Sequence, residues 1–177
     1  MPAIEFIEDV AVDAELDRQL RLLLSTCFTK PVDIVFRDRR YFHEPPRWRW
    51  FMRDDVGELI AHIAVHDKLI GTTAGEFRIA GIAEVCVHPQ QRGRGLVRDL
   101  LATAHPWLVA HDFPVAMLFG DKKVYSSSGY RVISNPIRYR KPETGIWIVE
   151  PSDWAMVRPL RNFDWPAGLV DLRGPMF

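Results

Sequence analysis

The chain has 177 residues, about the size of one domain, and its 47% hydrophobic and 26% charged residues are typical of soluble globular proteins. The 23 basic residues equal the 23 acidic ones, which removes the electrostatic argument for general binding to nucleic acid or membranes. No apolar run approaches the roughly 20 residues needed to span a bilayer. The N-terminus does not resemble a signal peptide, and the two cysteines lack C-x-x-C spacing, so we expect a cytoplasmic protein with reduced cysteines.

The first elements are a short strand and an amphipathic helix. Residues 3–10 alternate loosely between apolar and polar and predict the strand. Asp13 can cap the helix that follows. The apolar positions of this helix lie on one face and are expected to join the core: Leu16, Leu20, Leu23, Leu24 and Cys27.

Residues 36–53 are rich in arginine and aromatic side chains. One interpretation is a site for an anionic or aromatic group, since arginine binds carboxylates and stacks on rings. The other is an irregular loop followed by a half-buried strand, in which the arginines of Arg-Trp-Arg-Trp face water and the tryptophans pack. The alternating pattern favours the second.

A turn at Asp54–Gly57 precedes residues 58–66, which are apolar on both faces and predict a central strand. His62 and His66 have a spacing that suggests a metal site in a helix. In a strand, four residues separate them by ~13 Å, too far for one ion. We therefore expect histidines of the core or its rim and no metal.

The remaining elements alternate between strands and helices. A turn near residues 71–75 leads into a strand that ends at Val87. In the helix that follows, Pro106 should cause a break or kink near His105, so we expect a main part ending at about Ala104 and a short continuation carrying Trp107 and Leu108. Four more segments are predicted in order: a strand at 114–119, a short helix containing Tyr125, and strands at 131–140 and 146–149. Residues 151–177 are expected to pack on the domain as a tail.

The stretch AEVCVHPQQRGRGLV, residues 83–97, combines a strand, a glycine-containing turn and a helix start. The turn consists of Arg92, Gly93, Arg94 and Gly95, and Leu96 and Val97 open the helix. Glycines let backbone amides approach a ligand closely, and a helix N-terminus suits a phosphate. A tight turn without a ligand would explain two glycines equally well.

This stretch resembles motif A of the GNAT superfamily of acyl-CoA-dependent N-acyltransferases, Arg/Gln-x-x-Gly-x-Gly/Ala after the central strand. Gln90-x-x-Gly93-x-Gly95 matches literally; Arg92-x-x-Gly95-x-Val97 preserves the distance from strand to loop and is preferred, although valine departs from the signature. A second segment, from Asp121 to Tyr130, resembles the family's helix ending in Tyr-x-x-x-Gly-aromatic. The two matches occur in the family's order and together cover most of residues 58–139.

The resemblance implies a single α/β GNAT domain over residues 1–177, with a central mixed, mostly antiparallel sheet flanked by helices. It implies acetyl-CoA as co-substrate, with the pantetheine arm on the backbone of the central strand and the pyrophosphate on the loop amides. The residues implied are Val85, Cys86 and Val87 for the arm and Arg92, Gly93, Arg94, Gly95, Leu96 and Val97 for the pyrophosphate. Arg94 could equally be a solvated side chain.

Two residues are candidates for proton transfer. Glu84 is the only acid in the central strand, and burial would raise its pKa towards the range of a base; a carboxylate that anchors a neighbouring loop is the alternative. Tyr125 could protonate the departing thiolate, or could be an aromatic residue packed at a helix end. Cys86 as an acylated nucleophile is disfavoured, because the resemblance to GNAT proteins implies direct transfer of the acyl group.

We therefore predict an acetyltransferase acting on a primary amine of a small molecule. The alternatives are an idle acyl-CoA-binding or interaction module and a peptide or protein N-acyltransferase. The Arg-Gly-x-x-Leu-Val turn and residues 164–168 look like the aminoglycoside 2′-N-acetyltransferase branch. Residues 169–177 differ from that branch, and a polycationic aminoglycoside would meet the arginines of residues 36–53. We therefore do not predict an aminoglycoside substrate. The sequence is compatible with a homodimer and does not decide the oligomeric state.

Overall fold

The computed structural model describes residues 3–177, which form ten β-strands and three α-helices joined by short 3₁₀ turns. The strands are β1 (Ile4–Glu8), β2 (Trp48–Arg53), β3 (Leu59–Thr72), β4 (Gly75–Val87), β5 (Val115–Phe119), β6 (Arg131–Val132), β7 (Pro136–Arg140), β8 (Trp147–Pro151), β9 (Ala155–Pro159) and β10 (Val170–Asp171). The helices are α1 (Ala14–Cys27), α2 (Leu96–Ala110) and α3 (Lys122–Tyr125). These residues divide into two compact units, 3–65 with 83–104 and 66–82 with 105–177.

The first unit contains three antiparallel strands, in which β2 pairs with β1 on one side and β3 on the other. The Asp13 carboxylate accepts a hydrogen bond of 2.8 Å from the Leu16 amide and so caps α1, as the sequence predicted. The four leucines of the predicted stripe are buried, and they pack with Phe36, Phe51 and Leu59. The apolar face of α1 is therefore part of the core.

The second unit contains a sheet in the order β6-β9-β5-β4-β3-β10-β7-β8. β5 is parallel to β4 and β7 is parallel to β10, whereas β9 is antiparallel to β5 and β8 to β7. A core of aliphatic side chains is covered by half-buried aromatic residues of the tail, Phe163, Trp165 and Phe177. The predicted α/β class with a mixed, mostly antiparallel sheet is confirmed.

Three details differ from the sequence-based expectations. α2 is one helix through Pro106 to Ala110 rather than a main part and a separate continuation, because burial of Leu108 offsets the one backbone bond that proline removes. The strand predicted at 131–140 is divided into β6 and β7 at Asn135, whose side-chain amide donates to two carbonyl groups of the tail. The tail itself supplies β9 and β10 to the sheet.

Candidate functional site

Glu84 lies near the end of β4, where the backbone departs from regular strand geometry. Its φ is +51°, a left-handed value that residues other than glycine rarely adopt. Regular strand alternation would place Glu84 and Cys86 on one face and Ala83, Val85 and Val87 on the other. The left-handed residue breaks that alternation, as bulges in strands do, and the Glu84 side chain is only 5% exposed.

The Glu84 carboxylate has two partners in the first unit. Its Oε1 accepts a hydrogen bond of 2.9 Å from the Phe42 amide, and its Oε2 lies 3.2 Å from Nη1 of Arg49. Burial raises the pKa of Glu84 from its ordinary 4.5 to about 7, and the positive charge of Arg49 and the hydrogen bonds oppose this rise. The carboxylate thus anchors the Phe42 loop and also has a proton affinity suited to acid-base chemistry near neutral pH.

The turn after β4 brings two glycines and a helix N-terminus together. Gly93 and Gly95 both have left-handed φ values, +77° and +79°, and α2 begins at Leu96. Its first intrahelical bond runs from the Asp99 amide to the Gly95 carbonyl. A Cβ on Gly93 would meet no atom within 4 Å, so the backbone there is open to close approach. By helix geometry, the first amides of α2 have no intrahelical acceptor and can bind an anion.

The two arginines of this turn have different roles within it. Both are exposed. Arg92 donates from Nε to the Val87 carbonyl at 3.3 Å, and Arg94 donates to the Gln91 side chain. Each guanidinium has further N–H groups that could meet a phosphate.

Cys86 is buried on β4 beside Cys27 of α1, and both cysteines are free. Cys27 donates from Sγ to the Val87 carbonyl at 3.3 Å. The hydrogen bond with Cys27, together with burial, raises the pKa of the Cys86 thiol. A thiol with a raised pKa is a poor nucleophile. The environment of Cys86 therefore does not favour an acyl-cysteine intermediate.

Tyr125 ends α3 in the second unit. Its ring lies against Gly120, where a Cβ would overlap it, and 6.1 Å from the Tyr130 ring in an edge-on arrangement. Tyr130 is buried, and its hydroxyl is 3.0 Å from Nε2 of His105. The Tyr125 ring therefore lies between Gly120, which is outside the second motif, and the motif's aromatic residue Tyr130.

The structure places all but one of the predicted site residues in the first unit. These are Glu84, Val85, Cys86, Val87, Arg92, Gly93, Arg94, Gly95, Leu96 and Val97. Tyr125 belongs to the second unit.

Comparison with known proteins identifies the family. The family model for the acetyltransferase (GNAT) domain matches residues 9–133, more than half of the chain and all of the site described above. The chain belongs to the GNAT acetyltransferase family. It is therefore an acyl-CoA-dependent acetyltransferase, with acetyl-CoA as co-substrate.

Solved GNAT structures share its fold. The GNAT N-acetyltransferase YhbS from Escherichia coli, solved in complex with CoA, is 20% identical, with a TM-score of 0.70 over 97% of this chain and 91% of that one. A GNAT acetyltransferase from Brucella melitensis, solved in complex with acetyl-CoA, is 14% identical, with a TM-score of 0.61 over 96% of each chain. No curated protein sequence matches at a significant level.

Sequence reasoning missed a charged cluster behind Glu84 of this GNAT protein. Arg49 was expected to face water, but its side chain is 0% exposed and contacts Asp9, His62 and Glu84. The expectation is wrong because every residue of β2 from Trp48 to Met52 is buried, on both faces of the strand. Its partner Asp9 lies 40 positions earlier, so no local pattern could have indicated the pair.

The arginines of the front segment largely make internal contacts. Arg39 donates from Nε to the Tyr41 carbonyl and from Nη2 to that of Phe42, and Arg40 binds the carboxylates of Asp9 and Asp17. With Arg49 buried, these contacts leave little support for an anion site built from the segment as a whole.

His62 of the GNAT domain has both ring nitrogens occupied. Nε2 is 3.0 Å from Nη1 of Arg49, which can only donate, so Nδ1 carries the proton and donates to the Glu84 carbonyl at 3.0 Å. Burial and the charge of Arg49 lower the pKa of His62 to about 3 and keep it neutral. Within residues 3–177, no group of three or more His, Cys, Asp or Glu side chains could hold a metal ion. Nor does any helix in that range have the length and apolar character needed to cross a membrane.

The buried carboxyl of Glu84 predicts a dependence of stability on pH. A pKa raised from 4.5 to about 7 means that the native state binds the proton more tightly than the unfolded chain. The stabilisation that this bound proton gives the native state is fully present below about pH 4.5 and is lost as the pH rises through about 7. We expect the free energy of unfolding of the parent to fall by about 3 kcal/mol relative to Glu84→Gln across this window.

Urea unfolding at a series of pH values would measure this difference. His62 and His105 are present in both proteins, so their acid titration largely cancels in the comparison. Glu143→Gln, the same substitution at an exposed position, is the control. A difference between parent and Glu84→Gln that does not change with pH would contradict the raised pKa.

Proposed function

We propose that the protein transfers the acetyl group of acetyl-CoA directly to a primary amine of a small molecule. The observation that carries the proposal is Glu84, a buried carboxyl with a pKa near 7 on the strand that leads into the glycine turn. An ammonium substrate must lose a proton before its nitrogen can attack, and a base with this pKa can accept one at neutral pH.

The residues beside Glu84 provide the binding surface. We assign the pantetheine arm to the backbone of Val85, Cys86 and Val87, and the pyrophosphate to residues 92–97. Two left-handed glycines before a fifteen-residue helix support the pyrophosphate assignment, since such turns leave amides open to an anion. The E. coli and Brucella relatives were solved with CoA and acetyl-CoA, so members of this fold accept the ligand.

The chemistry requires the amine nitrogen to lose two protons and the sulfur to gain one. Glu84 accepts the first proton from the ammonium group, directly or through one water, and the neutral nitrogen forms a bond to the thioester carbonyl carbon. The carbon–sulfur bond breaks as the hydroxyl of Tyr125 gives its proton to the departing thiolate. The nitrogen then loses its second proton to the Tyr125 phenolate, which restores the hydroxyl, and Glu84 releases its proton to solvent. Tyr125 is assigned this role from the Tyr-x-x-x-Gly-aromatic motif and from the way Gly120 and Tyr130 fix its ring.

We expect an acceptor other than an aminoglycoside. The likeness to the aminoglycoside 2′-N-acetyltransferase branch is confined to the glycine turn and to residues 164–168, and the ending of the chain differs. The two free cysteines are consistent with a reducing compartment such as the cytoplasm, where small amines and acetyl-CoA meet.

Release of free CoA thiol from acetyl-CoA, measured with a panel of primary amines that includes aminoglycosides and short peptides, tests this function. We expect turnover with at least one small amine, strongly reduced in Glu84→Gln, and no turnover with the aminoglycosides. Saturable acetyl-CoA binding without amine-dependent thiol release from any member of the panel would favour the idle binding module instead. Turnover with peptides alone would favour a peptide acetyltransferase.

A further inference from the structure

The first unit buries an arginine where a strand residue of the core would usually be apolar. Arg49 is 0% exposed and its guanidinium forms four polar contacts. Nε donates to Oδ1 of Asp9 at 2.6 Å, Nη2 donates to the Arg40 carbonyl at 2.9 Å, and Nη1 lies 3.0 Å from Nε2 of His62 and 3.2 Å from Oε2 of Glu84. A fully buried guanidinium persists only when its charge and its N–H groups are satisfied in this way.

The charges around Arg49 are shared along a chain of contacts. Three cations, Arg21, Arg40 and Arg49, face three carboxyl groups, Asp9, Asp17 and Glu84. Burial raises the pKa of Asp9, but hydrogen bonds and charge from Arg40 and Arg49 lower it overall, and Arg40 with Arg21 does the same for Asp17. Of these three cations, Glu84 contacts only Arg49, which it shares with Asp9.

The distances from the Arg49 guanidinium show how it is shared between Asp9 and Glu84. The Arg49 guanidinium is 2.6 Å from Asp9 and 3.2 Å from Glu84, so the shorter contact is to Asp9. Arg49 therefore orients the Glu84 carboxylate with one N–H group, while the positive charge of Arg49 is largely compensated by Asp9.

Arg49 also acts on the backbone of Glu84 through His62. The imidazole accepts from Arg49 and donates to the Glu84 carbonyl, at the residue where β4 has its left-handed φ. Phe42 donates its amide to the other carboxylate oxygen, and Arg49 binds the carbonyl of Arg40 two residues before it. The carboxylate, the strand kink and the loop are thus connected to one guanidinium.

We infer that Arg49 is a positioning residue for the acetyl transfer, which holds the Glu84 carboxylate in its reacting direction while Asp9 compensates its charge. This inference rests on the proposed role of Glu84 as the base. The groups that face Glu84 from the elements packed around it are Asp9, the Phe42 amide, Arg49, His62 and Cys86, with Arg40 and Asp17 behind them.

Arg49→Lys tests the geometry separately from the charge. Lysine keeps the positive charge but has no planar fork and cannot reach four acceptors in different directions. We expect kcat, measured with an amine from the panel that the parent acetylates, to fall by about 10- to 100-fold with little change in KM for acetyl-CoA, as a displaced catalytic group produces. Arg53→Lys is the matched control, since Arg53 ends the same strand but binds Glu5 and Gln19, and it should keep the parent kcat. An unchanged kcat in Arg49→Lys would overturn the inference.

The Asp9→Asn, Arg49→Met double variant distinguishes positioning from a purely structural role. It removes the buried Arg49–Asp9 ion pair as a pair, a change that is often neutral or stabilising. An asparagine at position 9 can still accept a hydrogen bond from Arg40, which keeps Asp17 as its ion-pair partner. We expect the variant to fold and yet to have a kcat as low as that of Arg49→Lys. Recovery of both stability and kcat would show that Arg49 only neutralises Asp9, and the inference would be wrong.

A measurement without an acceptor separates this inference from the proposed function. Hydrogen exchange of the Phe42 amide reports the bond to the Glu84 carboxylate, and ¹³C NMR of labelled glutamate carboxyls, assigned with Glu84→Gln, reports its titration. In Arg49→Lys we expect faster exchange at Phe42 and a changed titration of Glu84, with both unchanged in Arg53→Lys. If the parent acetylates no amine, the function fails while these results still support the connection to Glu84; unchanged signals would overturn the inference whatever the activity.

Discussion

We expect the Tyr125→Phe variant to bind acetyl-CoA as the parent does and to turn over the amine about 10²–10⁴-fold more slowly, the usual contribution of general acid catalysis. Phenylalanine keeps the ring between Gly120 and Tyr130, so folding should change little. Only the proton for the departing thiolate is lost. The measurement is steady-state kinetics with saturating amine, in which kcat should fall and KM for acetyl-CoA should stay the same.

Tyr139→Phe is the matched control for this substitution. Its hydroxyl donates to Glu150 in an exposed pair at 2.9 Å, so the loss of that group should leave kcat at the parent value. If Tyr125→Phe also retains the parent rate, Tyr125 is a packing residue and the thiolate takes its proton from elsewhere.

Gly95→Glu should abolish measurable acetyl-CoA binding in calorimetry. The substitution places a side chain and a negative charge at the turn assigned to the pyrophosphate, where the two charges repel. A left-handed φ of +79° costs any other residue about 1–2 kcal/mol, so the variant should also be somewhat less stable.

Gly57→Glu separates the effect of the charge from the effect of the strain. Gly57 has a similar φ of +89°, and a Cβ there would meet no atom within 4 Å, in the turn between β2 and β3. This variant should lose similar stability and keep the parent affinity for acetyl-CoA, and exposed Lys122→Ala should change the affinity little. Parent-like affinity in Gly95→Glu would place the pyrophosphate at another site.

Local patterns in the sequence predicted the elements whose stability is local. Asp13 and the leucine stripe identified α1 because a capping residue and a period of 3.6 act within one helix. The turn at Asp54–Gly57 and the strand after it were also predicted from local patterns. The glycine turn and the Tyr125 segment were recognised from their resemblance to two motifs of the GNAT family, and the left-handed φ values of Gly93 and Gly95 explain why the first motif requires glycine.

What the sequence could not predict depends on contacts distant along the chain. Arg49 follows a polar-apolar alternation that usually indicates exposure, and only its contact with Asp9 makes burial tolerable. The kink at Glu84 is held by His62, 22 positions earlier. The hydrogen bond from Phe42 to Glu84 spans 42 positions, so the loop residue gave no signal of its own.

The left-handed backbone at Glu84 has a consequence for evolution and for engineering. A non-glycine residue in this conformation destabilises the fold by about 1–3 kcal/mol, and glycine would remove that cost. Glycine would also delete the carboxylate on which the proposed chemistry depends. The strain at position 84 is therefore tied to the carboxylate that the Phe42 amide and Arg49 bind, and a more robust catalyst would have to gain its stability from other positions.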